Sequence, residues 1–309
     1  MHFIKFLSIT LFCYSIASCS FIKTSYNNAP KLTIWWLNDY FNFTPAQIHT
    51  LEPALNNLHN WHRQQQLPEM ITLLKTMQTA FAGNNVTGDA LCVQVQAFKT
   101  SIYALQTESI PIILEIAPTL TDKQMSRFQS KLDKRTQKWK SQWWQELKKD
   151  QLSARLDKAE DFAEKVYGNL SEQQLMYIKQ RLTQENINPA ISYSEIIRRN
   201  EDAFEILNAL RNVNVNNDNA RNNENVSNKV VSEQNTEQLT KIKSKLVQAG
   251  FDRIQKSPDL AYQKYANDLA KHGCETIASL HATTGAEQKL HAKKWLDDYI
   301  VQLTALQIK

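Results

Sequence analysis

Apolar residues recur along most of this chain at intervals of three and four, the period of a helix that buries one face. Ile48, Leu51, Leu55, Leu58 and Trp61 make one such stripe, and Leu67 to Ala82, opened by Pro68 and followed by Gly83, makes the next. A third begins near Thr87 and follows Leu91, Val95, Phe98, Ile102 and Leu105 into an apolar stretch from Ile110 to Leu120. Pro111, Glu115 and Pro118 make that stretch a bend or buried segment, too short and interrupted to cross a bilayer. From Thr121 the stripe is Met125, Phe128, Leu132, Trp139, Trp143 and Leu147. Helices are then predicted over Ser153–Tyr167, Ser171–Gln184, Pro189–Val213 (with Ile191, Ile196, Phe204, Leu207 and Leu210 inward), Thr236–Lys256, Asp259 past His272, and Thr284 to the C-terminus. No strand-like alternation competes. The expected fold is all-α, an elongated multi-helix bundle.

The starts of these helices share a signature. Thr44-Pro45-Ala46-Gln47, Thr121-Asp122-Lys123-Gln124 and Ser171-Glu172-Gln173-Gln174 each place a hydroxyl three residues before Gln, preceded by Phe43, Leu120 and Leu170. A capping box uses this spacing: the hydroxyl accepts from the N3 amide, and the Gln reaches back to the N-cap amide. Thr284-Gly285-Ala286-Glu287 is read as a fourth box, with Glu287 in the last place. One segment breaks the pattern. From Asn212 to Asn235 the chain is crowded with asparagine and lacks an apolar period, so a flexible insertion (212–235) between two core helices is expected.

The N-terminus changes the compartment. His2 and Lys5 precede an apolar run from Phe3 to Tyr14, and Ala17-Ser18 are small residues before Cys19, with Ile16 three places ahead of it. This is the organisation of a cleaved secretory leader, residues 1–18, in which Cys19 is the acceptor of palmitate-type acyl chains. Two or three chains hold a protein firmly, since each buried methylene adds about 0.8 kcal/mol. Ser20, uncharged after the acylated cysteine, favours the outer membrane, with the body facing the periplasm. Residues 19–30 form a lipidated lead and 31–309 the helical domain. The lead spans at most about 40 Å fully extended. Removing Lys5 leaves the mature chain one unit less positive than the full-chain +5, a mild balance that implies no nucleic-acid partner. Cys13 leaves with the leader and Cys19 is acylated, so Cys92 and Cys274 remain to pair as a disulfide in an oxidising compartment.

Several blocks together resemble a known group. Tyr26-Asn27-Asn28-Ala29-Pro30 with Trp35-Trp36-Leu37 and Asp39-Tyr40, then Trp61-His62-Arg63 with Leu67-Pro68, Tyr167-Gly168-Asn169-Leu170 and Gly273-Cys274 are similar to an uncharacterised family of Gram-negative lipoproteins, defined as a domain of unknown function. The resemblance implies a lipid-modified cysteine and two later cysteines, in support of the disulfide, and it implies no catalytic residue. A looser likeness is to periplasmic stress chaperones with Leu-Thr-x-x-Gln repeats like Leu120 to Gln124.

Candidate chemistry is sparse. His59 and His62 share a helical face and are the weak metal candidates, with Glu69, His281 or His291 as further ligands that no spacing selects. Asp39 and Asp298 sit in similar contexts, Trp36-Leu37-Asn38-Asp39-Tyr40 and Trp295-Leu296-Asp297-Asp298-Tyr299, read as an echo of two amphipathic helices rather than an acid/base pair. Lys134, Lys138 and Lys149, interleaved with tryptophans, are candidates for contact with an anionic surface. In the first helix, Leu32, Trp35, Trp36, Tyr40 and Phe41 are expected to pack into the core, the alternative being the headgroup belt. No phosphate loop, nucleophile elbow or cofactor motif is present. The expectation is a non-enzymatic outer-membrane lipoprotein that binds an envelope protein or acts like a chaperone; the alternative is a metal-dependent envelope hydrolase.

Overall fold

The computed structural model describes residues 22–83, 86–145, 150–221 and 229–307. The leader and Cys19 therefore lie outside the described residues. All regular structure described is helical: α1 (22–27), α2 (Ala29–Phe41), α3 (Pro45–Trp61), α4 (Leu67–Ala82), α5 (Gly88–Glu108), α6 (Ile110–Ile116), α7 (Asp122–Lys140), α8 (Asp150–Tyr167), α9 (Glu172–Gln184), α10 (Pro189–Arg221), α11 (Lys229–Gln255), α12 (Leu260–Ala282) and α13 (Ala286–Gln307). Within them, no helix is long and apolar enough to cross a membrane.

The Asn-rich segment departs from expectation. Helix α10 continues through it to Arg221 and α11 starts at Lys229, so the insertion predicted over 212–235 is helical except for 222–228, which lie outside the described residues. Asparagine costs at most about 0.7 kcal/mol per helical residue, and extending an existing helix avoids the cost of nucleation. Composition alone overstates the break. The lead is also partly helical, since α1 occupies residues 22–27.

Two capping boxes meet in the first half of the chain. Thr44 and Thr121 cap α3 and α7, and the Gln47 and Gln124 carboxamides bond each other face to face at 3.2 and 2.7 Å. Each oxygen also accepts from its own N-cap amide. The remaining donor of Gln47 goes to the Thr119 carbonyl and hydroxyl, and that of Gln124 to the Asn42 carbonyl. Both side chains are buried with every donor and acceptor used.

The second half repeats this arrangement. Ser171 caps α9 with Gln174, whose amide exchanges hydrogen bonds with Gln288 at 3.1 and 3.0 Å. Gln174 donates to the Thr283 carbonyl and hydroxyl, and Gln288 to the Asn169 carbonyl. The fourth box is thus one residue later than predicted: Gln288, not Glu287, accepts from the Gly285 amide. Thr284 instead donates its hydroxyl to the His281 carbonyl.

The repetition extends to the helices. The packed pairs α2–α3, α2–α7, α3–α6 and α4–α5 reappear as α8–α9, α8–α13, α9–α12 and α10–α11, each helix advanced by six. Between halves, α4 packs on α13 and α10 on α7, while α5 packs on α12 and α11 on α6. The α5–α11 contact maps onto itself. Applying the shift twice returns every helix to its start, the signature of a two-fold relation. The chain is built from two six-helix units, α2–α7 and α8–α13, each lending its late helices to the other.

Three apolar clusters fill this framework. One joins Phe81 and Leu91 to Val166, Tyr167, Ile178, Ala292 and Leu296; another joins Ile34, Phe41, Leu51, Leu55, Leu120, Phe128 and Leu132. The third, Ile110, Ala117, Leu210 and Val247, sits where the units cross. Cys92 and Cys274 form the predicted disulfide, with Cα atoms 5.6 Å apart, and it ties α5 to α12 across the units.

Candidate binding cleft and surface

Two prolines shape the candidate site. Pro68 has no amide to donate to Gln64, and the helix between α3 and α4 widens into a π-turn, His62–Gln66, in which the Leu67 amide reaches back to His62. Such one-residue expansions are frequent at functional sites. The wide turn carries two polar side chains, Arg63 and Gln66, into the interior. Pro30, at the start of α2, is itself buried and lies with Tyr26 on the facing wall.

Between these walls lies a cleft of about 500 Å³. Ala29, Pro30, Leu37, Leu55, Leu58, Leu105, Ile112 and Ile113 make it predominantly apolar, and Tyr26, His59, His62, Gln106 and Ser109 supply the polar groups. Tyr26 organises the polar end. Its hydroxyl is 2.9 Å from His62 Nδ1, its ring lies 4.6 Å from that of His59, and the Arg63 guanidinium stacks on it at 5.0 Å.

Arg63 is 7% exposed. It donates to the Leu306 carbonyl and, at 2.9 Å, to Asn27 Oδ1, while its buried Nε has no hydrogen-bond partner. No described carboxylate forms an ion pair with it. Burial, followed by the Arg63 charge, lowers the His62 pKa and favours a neutral imidazole. Burial raises the Tyr26 pKa against the opposing pull of Arg63.

The predicted metal ligands do not converge here. Glu69 accepts from Gln66, His281 contacts Tyr167 and the Gly83 carbonyl, and His291 contacts the Val166 carbonyl in the other cluster. Among the described residues no group of three or more His, Cys, Asp or Glu is placed to hold a metal. Asp39 pairs with Lys131 and Arg127, and Asp298 with Lys294, so the two aspartates serve different helices.

The first helix corrects an expectation. Ile34 and Phe41 face inward, but Leu32, Trp35 and Trp36 point to solvent, Trp35 with 74% exposure. The period places two faces on α2, and the core takes only one. Beside it α7 presents Arg127, Lys131 and Arg135, which reach Asp39 and Tyr40. Lys134 and Lys138 are exposed on the same helix, and Lys149 lies outside the described residues.

Sequence reasoning passed over Tyr26 and Arg63 as site residues. A partial signal existed: Gln66 keeps close to the register of the buried Leu51 and Leu55, whereas Arg63 lies off it and is carried inward by the π-turn.

Comparison with known proteins identifies a family. The sequence model of a family described as "Family of unknown function (DUF6279)" matches residues 39–223. No curated protein and no solved structure matches significantly.

Proposed function

The chain belongs to the DUF6279 family of unknown function, and from that premise we propose a lipid-anchored outer-membrane protein whose helical body binds another envelope protein, or holds unfolded ones, from the periplasmic side. The observation that carries this reading is the solvent face of α2. Leu32, Trp35 and Trp36 share one side of the first long helix after Cys19, and burying them stabilises a peripheral protein at the headgroup level. The exposed Lys134 and Lys138 of α7, the helix packed beside α2, complement an anionic surface.

Metabolic labelling with an alkyne palmitate analogue, followed by membrane fractionation, tests the anchor. Label should enter the wild type and leave with Cys19→Ala, and the labelled protein should sediment with outer membrane. Unlabelled wild-type protein would refute it. The binding role is tested by crosslinked pulldown of the lipidated form and by suppression of client aggregation; neither a recovered partner nor suppression would refute that part.

A further inference from the structure

We propose that the cleft between α1–α2 and the α3, α5 and α6 walls binds a single-chain amphiphile with an anionic head, of the long-chain carboxylate class. Leu55, Leu58, Ile112 and Ile113 supply an apolar channel for the alkyl chain, in a cleft within the usual size range of small-molecule sites. The head lies at the Tyr26–His62 end: with His62 donating from Nδ1 to the Tyr26 oxygen 2.9 Å away, the Tyr26 hydroxyl keeps its proton to donate to a carboxylate.

Charge decides between an anionic and a neutral head. A buried cation is costly unless compensated, and Arg63, stacked behind Tyr26, meets only a carbonyl, an amide oxygen and a ring among the described residues. An anion at the Tyr26 hydroxyl supplies the missing complement. The ligand is a free amphiphile: an acyl group on the protein's own Cys19 would be an ester or amide and would bring no anionic head.

Native mass spectrometry of the full chain, released from detergent in the gas phase, tests this with hexadecanoate and hexadecan-1-ol as probes. One hexadecanoate per chain is expected, and about tenfold weaker retention of the alcohol, equivalent to 1.4 kcal/mol. Thr33→Trp narrows the cleft without entering an apolar cluster, and Ile113→Trp fills it from another wall; both should abolish the adduct at unchanged helical circular dichroism. Uptake of hexadecanoate by Cys19→Ala but not by the wild type would assign the cleft to a neutral acyl group on Cys19 and overturn the anionic-head proposal. No adduct in either form, an adduct undiminished in Thr33→Trp, or equal retention of acid and alcohol would overturn the proposal.

Discussion

The carboxamides of Gln47 and Gln124 form a closed pair, 2.7 and 3.2 Å across, although 77 residues separate them. Each is also the N3 residue of a capping box, so one contact joins two helix starts and closes a unit. Gln174 and Gln288 do the same for the second unit.

Gln124→Ala should therefore cost more than loss of a surface cap. It leaves buried groups of Gln47 and Thr121 unpaired, each worth about 1–3 kcal/mol. Urea denaturation should show a loss of about 2–4 kcal/mol for either single variant. The double variant Gln47→Ala/Gln124→Ala should lose less than the sum, with coupling above about 1 kcal/mol. Additive losses would mean that the pair is incidental.

The disulfide closes 182 residues across the two units. In the chain-entropy picture, Cys92→Ser/Cys274→Ser should lose up to about 5 kcal/mol. Peptide mapping after alkylation of the denatured, unreduced protein should find neither cysteine modified.

Two of the described histidines contribute to acid lability below about pH 6.5. Burial depresses the pKa of His281, which is fully enclosed by Phe81 and Tyr167, and of His62. A depressed pKa means the unfolded chain takes the proton first, so stability falls as pH drops below the unfolded value of about 6.5. Each group contributes a slope of at most about 1.4 kcal/mol per pH unit. His281→Gln should flatten the loss between pH 6.5 and 5; an unchanged slope would contradict the assignment.

A second acid limb belongs to Glu195. Burial pushes its carboxyl up, but hydrogen bonds from Arg198, Ser257 and Arg199 outweigh this and hold it at about 2. Its stabilisation is complete above the ordinary value of 4.5 and lost as pH falls toward 2. Glu195→Ala should destabilise by about 3–5 kcal/mol at neutral pH, because Arg199 loses its carboxylate partner and Arg198 keeps only Asp202 among the described residues.

Local chemistry was legible in the sequence; its pairing was not. Thr44, Thr121 and Ser171 announced their helices because a capping box is a four-residue signal. The two-fold relation stayed hidden because the boxes stand 77 residues apart in one unit and 114 in the other. Gly285 also lacks the hydroxyl, and Glu287 offered a decoy one residue early. Cys92 and Cys274 were legible by elimination, once Cys13 and Cys19 were assigned to the expected leader and acylation site. Arg63 was missed because charge reads as surface, and only the π-turn ahead of Pro68 turns it inward.

The central structural claim is that two six-helix units interlock into one cooperative body. Native-state hydrogen exchange under rising urea tests it at Leu51 and Ile178, buried at matching positions one turn after Gln47 and Gln174. Their amides should merge into a single opening isotherm with the same free energy and urea dependence. Opening of Ile178 at lower urea while Leu51 stays protected, or the reverse, would contradict the interlocked account.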